Sequence, residues 1–194
     1  MTGRMRVAVL KGGASSEHDV SLASAAAVMA ALDRRRYEVI PVDISRQGVW
    51  TVDGSVVGVA RGGDGEPLLV SLNGSAHRPI DVVFPVLHGP NGEDGTVQGA
   101  LECAGVPYVG AGVAASAIAM DKAFFKGVLC EAGIPTPEHV VVTVAEWEDD
   151  PGAARARVAE AVGYPAFVKP ARLGSSVGIR RVAWPDTSLQ LPGR

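Results

Sequence analysis

Lys169, Gly174, Ser175, Ser176, Val177 and Gly178 lie within the run AFVKPARLGSSVG, residues 166–178. Phe167 and Val168 favour a strand, and Pro170 ends its ladder because it has no N–H to donate. The sequence therefore predicts a buried strand, a short Gly/Ser loop and a second strand. The lysine puts a point charge at the strand's end. Backbone amides of the loop can turn towards an anion, since glycine tolerates positive φ and close approach. A lysine beside such a flap is one way to hold a triphosphate. A surface hairpin with a solvated lysine is the plainer reading of the same residues.

Two other stretches carry chemistry. GGASSEHD, residues 12–19, follows the apolar run Arg6 to Leu10. It lacks the third glycine of a dinucleotide fingerprint and places acidic Glu17 near a helix start. A carboxylate there is favoured by the helix dipole. It would also repel a phosphate and attract an ammonium. The second stretch, His88-Gly89-Pro90-Asn91-Gly92-Glu93-Asp94-Gly95, follows the apolar run Ile80 to Leu87. A histidine at the carboxyl end of a central strand points into the ligand crevice of an open α/β sheet; a spare core histidine is the alternative. Asp94 is expected to cap the next helix. Lys122, taken alone, reads as a solvated helix-start residue.

The elements that position these residues follow from periodicity. Arg6 to Leu10 is near-continuously apolar, as in a parallel strand covered on both faces. A helix is expected from about Val20 to Leu32, with Leu22, Ala25, Met29 and Leu32 on one face and Ser21 or Asp19 as cap. Tyr37 to Asp43 is a strand that Pro41 makes irregular or places at an edge. Asp53-Gly54 turns a hairpin between Val49–Val52 and Ser55–Val59. Leu68 to Leu72 is a further short strand, and residues 48–78 form an excursion at the domain's edge without evident chemistry. Helices are expected over 96–104, 113–120, 123–132 and from 149–151 to about 162. Short strands are expected at 107–109 and 139–144.

Composition bounds the function. The chain has 194 residues, 47% hydrophobic and 20% charged, with a net charge of −3, which gives no general pull towards nucleic acid or an anionic membrane. Its two cysteines, Cys103 and Cys130, form no CxxC pair, which suits a reducing cytoplasm. No run approaches the ~20 apolar residues that a membrane helix needs.

Taken in order, GGASSEHDVS, LHGPNGEDG, MDK and FVKPARLGSSVG resemble the D-alanine–D-alanine ligase family of the ATP-grasp superfamily. The resemblance implies an α/β fold: an open, mostly parallel sheet (a preATP-grasp domain, 1–120), then the first part of an ATP-grasp fold (121–183) and an irregular tail (184–194). It implies a reaction in which ATP phosphorylates the carboxylate of one D-alanine and the amine of a second displaces phosphate, for peptidoglycan synthesis. By the same resemblance, Glu17 would be catalytic, holding the first D-alanine's ammonium and orienting Ser175, the catalytic serine. His88 would lie by that D-alanine's carboxylate. Lys122, Lys169 and the flap Gly174 to Gly178 would bind ATP. D-alanine, ATP and Mg²⁺ are the implied ligands, with a homodimer implied by resemblance alone. Nothing after Gly178 supplies oxygen ligands for Mg²⁺, so those are expected elsewhere, and residues 1–194 alone are expected to bind ATP poorly and not to ligate. A non-catalytic binding module and a D-alanine–D-lactate ligase are the alternatives.

Overall fold

The computed structural model describes residues 3–73 and 77–183. The chain divides into two compact units, Met1–Ile118 and Ala119–Arg194. The expected irregular tail, 184–194, lies outside the described residues.

In the first unit, β1 (Met5–Gly12) is followed by α1 (His18–Ala31), β2 (Tyr37–Ile44), β3 (Trp50–Val52), β4 (Ser55–Arg61), β5 (Pro67–Ser71), β6 (His77–Pro79), β7 (Val82–Pro85) and α2 (Thr96–Cys103). The α/β sheet has seven strands in the order β6-β5-β4-β3-β2-β1-β7. It is parallel where it carries the site: β1 pairs in parallel with β2 and β7. Tyr108 adds a parallel bridge to Val83. The excursion continues the sheet as antiparallel strands from β3 to β6. Its first turn has Asp53 at φ 49° and Gly54 at φ 80°, the left-handed pair that a two-residue hairpin needs. Residues 77–79 were not anticipated as a strand; they are too short and too polar to show alternation.

Alternation across β1 explains why both of its faces are covered. Ala8 and Leu10 pack with Val97 and Leu101 of α2, whereas Val7 and Val9 pack against Ala25, Val28 and Met29 of α1. Leu10 and Val9 are fully buried, as expected for a strand with helices on both faces. Pro41 is exposed and lies opposite Val9. Only Asp43 and Ile44 of β2 pair with β3, so the proline interrupts no ladder on its outer side.

Two expectations for α1 are corrected. The helix begins two residues earlier, with Glu17 as N-cap and no side-chain cap hydrogen bond. Ser21 is not a cap but a fully buried residue inside the helix, and Leu22 is only partly buried. Asp94 does bond the Thr96 amide of α2, but from one residue further out: the N-cap position belongs to Gly95, at φ 90°.

α3 (Val113–Met120) leads to the second unit, which contains α4 (Lys122–Glu131), α5 (Val144–Asp149), α6 (Pro151–Ala161), β8 (Ala166–Val168) and β9 (Arg180–Val182). The strand expected over 139–144 does not form. Its β-branched residues have no strand beside them among the described residues, and Thr143 instead caps α5 through a reciprocal capping box with Glu146. β8 and β9 pair antiparallel, as the Gly/Ser hairpin requires. The first strand is only partly buried: Ala166 is enclosed, but Phe167 is 61% exposed.

Candidate functional site

The β1–α1 and β7–α2 loops meet at the carboxyl ends of two adjacent parallel strands, where open α/β sheets collect ligands. Ser21 fixes them from below. Its hydroxyl accepts from the Gly12 N–H at 2.8 Å and donates to the Val86 carbonyl, so one buried side chain joins the end of β1, α1 and the end of β7. Gly12, at φ 88°, has room for no side chain, since a Cβ there would collide with the Ile44 carbonyl. His18 Nδ1 lies 2.7 Å from the Gly13 carbonyl. A carbonyl only accepts, which assigns the ring proton to Nδ1.

Glu17 and His88 are brought together in this unit. Ser15 Oγ accepts from the Glu17 N–H at 3.1 Å and donates to the His88 carbonyl at 2.7 Å. A Cβ on Gly89 would lie 2.6 Å from Glu17 Oε2, so the carboxylate packs against a backbone that must be glycine, at φ 71°. The His88 ring is about one-third exposed, with Nε2 3.2 Å from Ser24 Oγ and Nδ1 3.8 Å from Glu93 Oε1. Glu93 Oε2 also accepts from the Gly89 N–H at 2.7 Å. Burial pushes the Asp94 carboxyl up, but amide hydrogen bonds from Asn91 and Thr96 outweigh it and hold the group below its ordinary range. The loop around His88 is thus held by its own two carboxylates. Beside it, Gly13, Trp50, Leu87, His88, Pro90 and Val97 line a cavity of about 400 Å³. The two joined loops thus carry a carboxylate and an imidazole, groups that can bond to an ammonium and to a carboxylate.

The other residues singled out from the sequence belong to the second unit. Asp121 caps α4, accepting from the Ala123 and Phe124 amides, and its Oδ2 takes a 2.8 Å hydrogen bond from Arg172 Nε. The Arg172 hydrogen bond, helped by those amides, keeps the Asp121 carboxyl below its ordinary range. Lys122 donates its N–H to the Ala171 carbonyl at 3.0 Å and its Nζ to the Leu173 carbonyl at 2.6 Å. The start of α4 is therefore tied to the residues that lead into the Gly/Ser loop. In that loop Ser175 and Ser176 both take left-handed φ values, 48° and 62°, and the Val177 N–H closes the turn onto the Gly174 carbonyl at 3.0 Å. Val177 thus spends its amide inside the turn. Lys169 is exposed.

Ser15, Gly89 and Arg172 were not singled out from the sequence, and Ser21 was read only as a cap. Ser15 had a readable signal: a serine two residues before a helix-start residue is placed for a side-chain turn onto that residue's N–H. Among the described residues no group of three His, Cys, Asp or Glu side chains could hold a metal ion. No described helix is long and apolar enough to cross a membrane.

Comparison with known proteins gives a consistent result. Residues 6–111 match the family model described as D-ala D-ala ligase N-terminus, and residues 128–188 match the D-ala D-ala ligase C-terminus. A D-alanine–D-alanine ligase of Deinococcus radiodurans is 50% identical over 189 residues, covering 94% of this chain and 54% of the relative. Among solved structures, the D-alanine-D-alanine ligase from Coxiella burnetii aligns with a TM-score of 0.81 at 31% identity, covering 94% of this chain and 55% of that one. VanG D-Ala:D-Ser ligase from Enterococcus faecalis aligns with a TM-score of 0.79 at 35% identity, covering 94% and 56%. The chain spans about half the length of the curated relatives it matches.

Proposed function

The chain belongs to the D-alanine–D-alanine ligase family, and from that premise we propose that it is the amino-terminal portion of an ATP-dependent ligase that makes D-alanyl-D-alanine for peptidoglycan. The observation that supports this reading is that Ser15 ties the Glu17 N–H to the His88 carbonyl, which sets both residues together at the ends of β1 and β7. Glu17 holds the ammonium of the first D-alanine, and His88 faces its carboxylate. That carboxylate attacks the γ-phosphorus of ATP, giving an acylphosphate and ADP. The amine of the second D-alanine then attacks the acyl carbon, and inorganic phosphate leaves as the amide forms.

In this reading Ser175 is the catalytic serine. Lys122 and Lys169 meet the charge on the transferring phosphates, with Ser176 and the backbone of 174–178 over them. The contribution of these residues is charge stabilisation and positioning. Lys122 and the left-handed turn suit an anionic ligand. In this reading Mg²⁺ is held by the part of the ligase that the matched relatives carry beyond this alignment. A cytoplasmic location and a homodimer complete the reading. The likeness to VanG supports a second one, in which the nucleophile is the amine of another D-amino acid.

Phosphate release and dipeptide formation test the proposal. The 194-residue chain alone is expected to show no D-alanine-dependent phosphate release. Supplied with the remaining half of the D. radiodurans relative, it is expected to form dipeptide, and Glu17→Gln to abolish that activity. Equal activity with and without the Glu17 carboxylate would overturn the assignment.

A further inference from the structure

We propose that Ser15 is the positioning residue that couples Glu17 to His88, so that the site reads both ends of an amino acid at once. The proposal rests on the ligase reading and adds a residue to it. Helix N-cap residues ordinarily spend a side-chain oxygen on the exposed amides of the first turn. Glu17 occupies the N-cap of α1 and makes no such bond. Ser15 makes the turn instead, accepting from the Glu17 N–H. The Glu17 carboxylate, not spent on capping, packs towards Gly89. The same Ser15 hydroxyl donates its proton to the His88 carbonyl, on a loop 73 residues away in sequence.

With 8% exposure, Ser15 has little access to water that could replace either bond. Alanine at this position would leave the Glu17 N–H and the His88 carbonyl without their common partner. The β1–α1 and β7–α2 loops would then hold their spacing less tightly, and Glu17 and His88 would act as separate subsites. The expected signature is a loss of coupling, not a general loss of binding. A ligand with both ends suffers, while a ligand with only one end does not.

The test is an NMR titration of the 194-residue chain and its Ser15→Ala variant with D-alanine, ethylamine and propionate. D-alanine affinity is expected to fall about tenfold in the variant, one hydrogen-bonded coupling's worth, while the two single-ended probes change less than twofold. Ser15→Thr keeps the hydroxyl and is expected to restore most of the D-alanine affinity. A fall of all three probes together, or of none, would overturn the coupling. Amide exchange without ligand separates this result from the ligase reading. The Glu17 amide is expected to exchange at least about tenfold faster in the alanine variant, and the His88 ring resonances to shift. If both stay unchanged, Ser15 is not the link. If both change but the wild-type chain ignores D-alanine, the ligase reading fails and the link stands. Ser15→Cys, which keeps the volume, repeats the exchange measurement should the alanine variant unfold.

Discussion

Leu10, Ile40, Ile80 and Leu101 of the first unit have no exposed surface, whereas Phe124 and Phe167 of the second are 65% and 61% exposed. Both units are rich in apolar residues, yet only one encloses them. The parallel strands of the first unit are covered by α1 on one face and α2 on the other. Among the described residues of the second unit, the buried apolar side chains are Ala154, Ala166 and Val182, all small or medium-sized. Helix α4 has no buried residue at all. Area removed from water, not hydrophobic composition, stabilises a fold. The first unit therefore carries its own stability, while the second relies on local devices: the Asp121 cap and its Arg172 pair, the Thr143–Glu146 capping box and the two-stranded hairpin.

Hydrogen exchange offers the broadest check of this contrast. Amides of β1, β2 and β7 are expected to open only with the whole first unit, at several kcal/mol, whereas those of α4 and β8 open at close to zero. Comparable protection in the two regions would erase the distinction. Next in size, Leu10→Ala should cost about 2–5 kcal/mol in urea unfolding, while Phe124→Ala should stay within about 0.5 kcal/mol. Ser21→Ala should cost about 1–3 kcal/mol, because the Gly12 N–H and Val86 carbonyl lose their shared partner in a buried place; a smaller loss would mean that another group takes over.

The smallest effect is electrostatic and belongs to the second unit. The Arg157 hydrogen bond, followed by those from Thr143, lowers the Glu146 carboxyl from 4.5 to about 2. The folded value lies below the unfolded one, so Glu146 stabilises α5 fully above pH 4.5 and ceases to do so as pH falls through about 2. A carboxyl ¹³C titration reads this directly, and Arg157→Ala should move the midpoint back up.

Much of the first unit was legible because its signals are local and agree with one another. Arg6 to Leu10 is apolar without interruption, Asp53-Gly54 fits one turn type, and the chemistry-bearing loops follow the ends of apolar runs. The second unit was harder because its pattern points outward. HVVVTV has strand propensity, but propensity expresses packing against neighbours, and no described strand lies beside it. The T-x-x-E of Thr143 to Glu146 was readable as a helix start and was hidden by the β-branched run before it. In the site, residue types announced Glu17, His88 and the lysines. Beyond the local turn that Ser15 offers, the partners of Ser15 and Ser21 were not legible, because a buried hydroxyl's partners are carbonyls and amides set by topology. Ser21 in particular reads as a helix cap until Gly12 and Val86 are seen on either side.

The pairing of β1 with β7 also bears on the order of assembly. The arm from β3 to β6 is made of near-neighbour hairpins, whose loops close quickly, whereas Ser15 and His88 must close 73 residues of chain before they touch. The hairpins should therefore form ahead of the β1–β7 junction, and the loops that carry Glu17 and His88 should be among the last parts of the unit to mature. Kinetic φ-values near zero for Ser15 and Leu87, beside higher ones at the Asp53-Gly54 turn, are the expected record of that sequence of events.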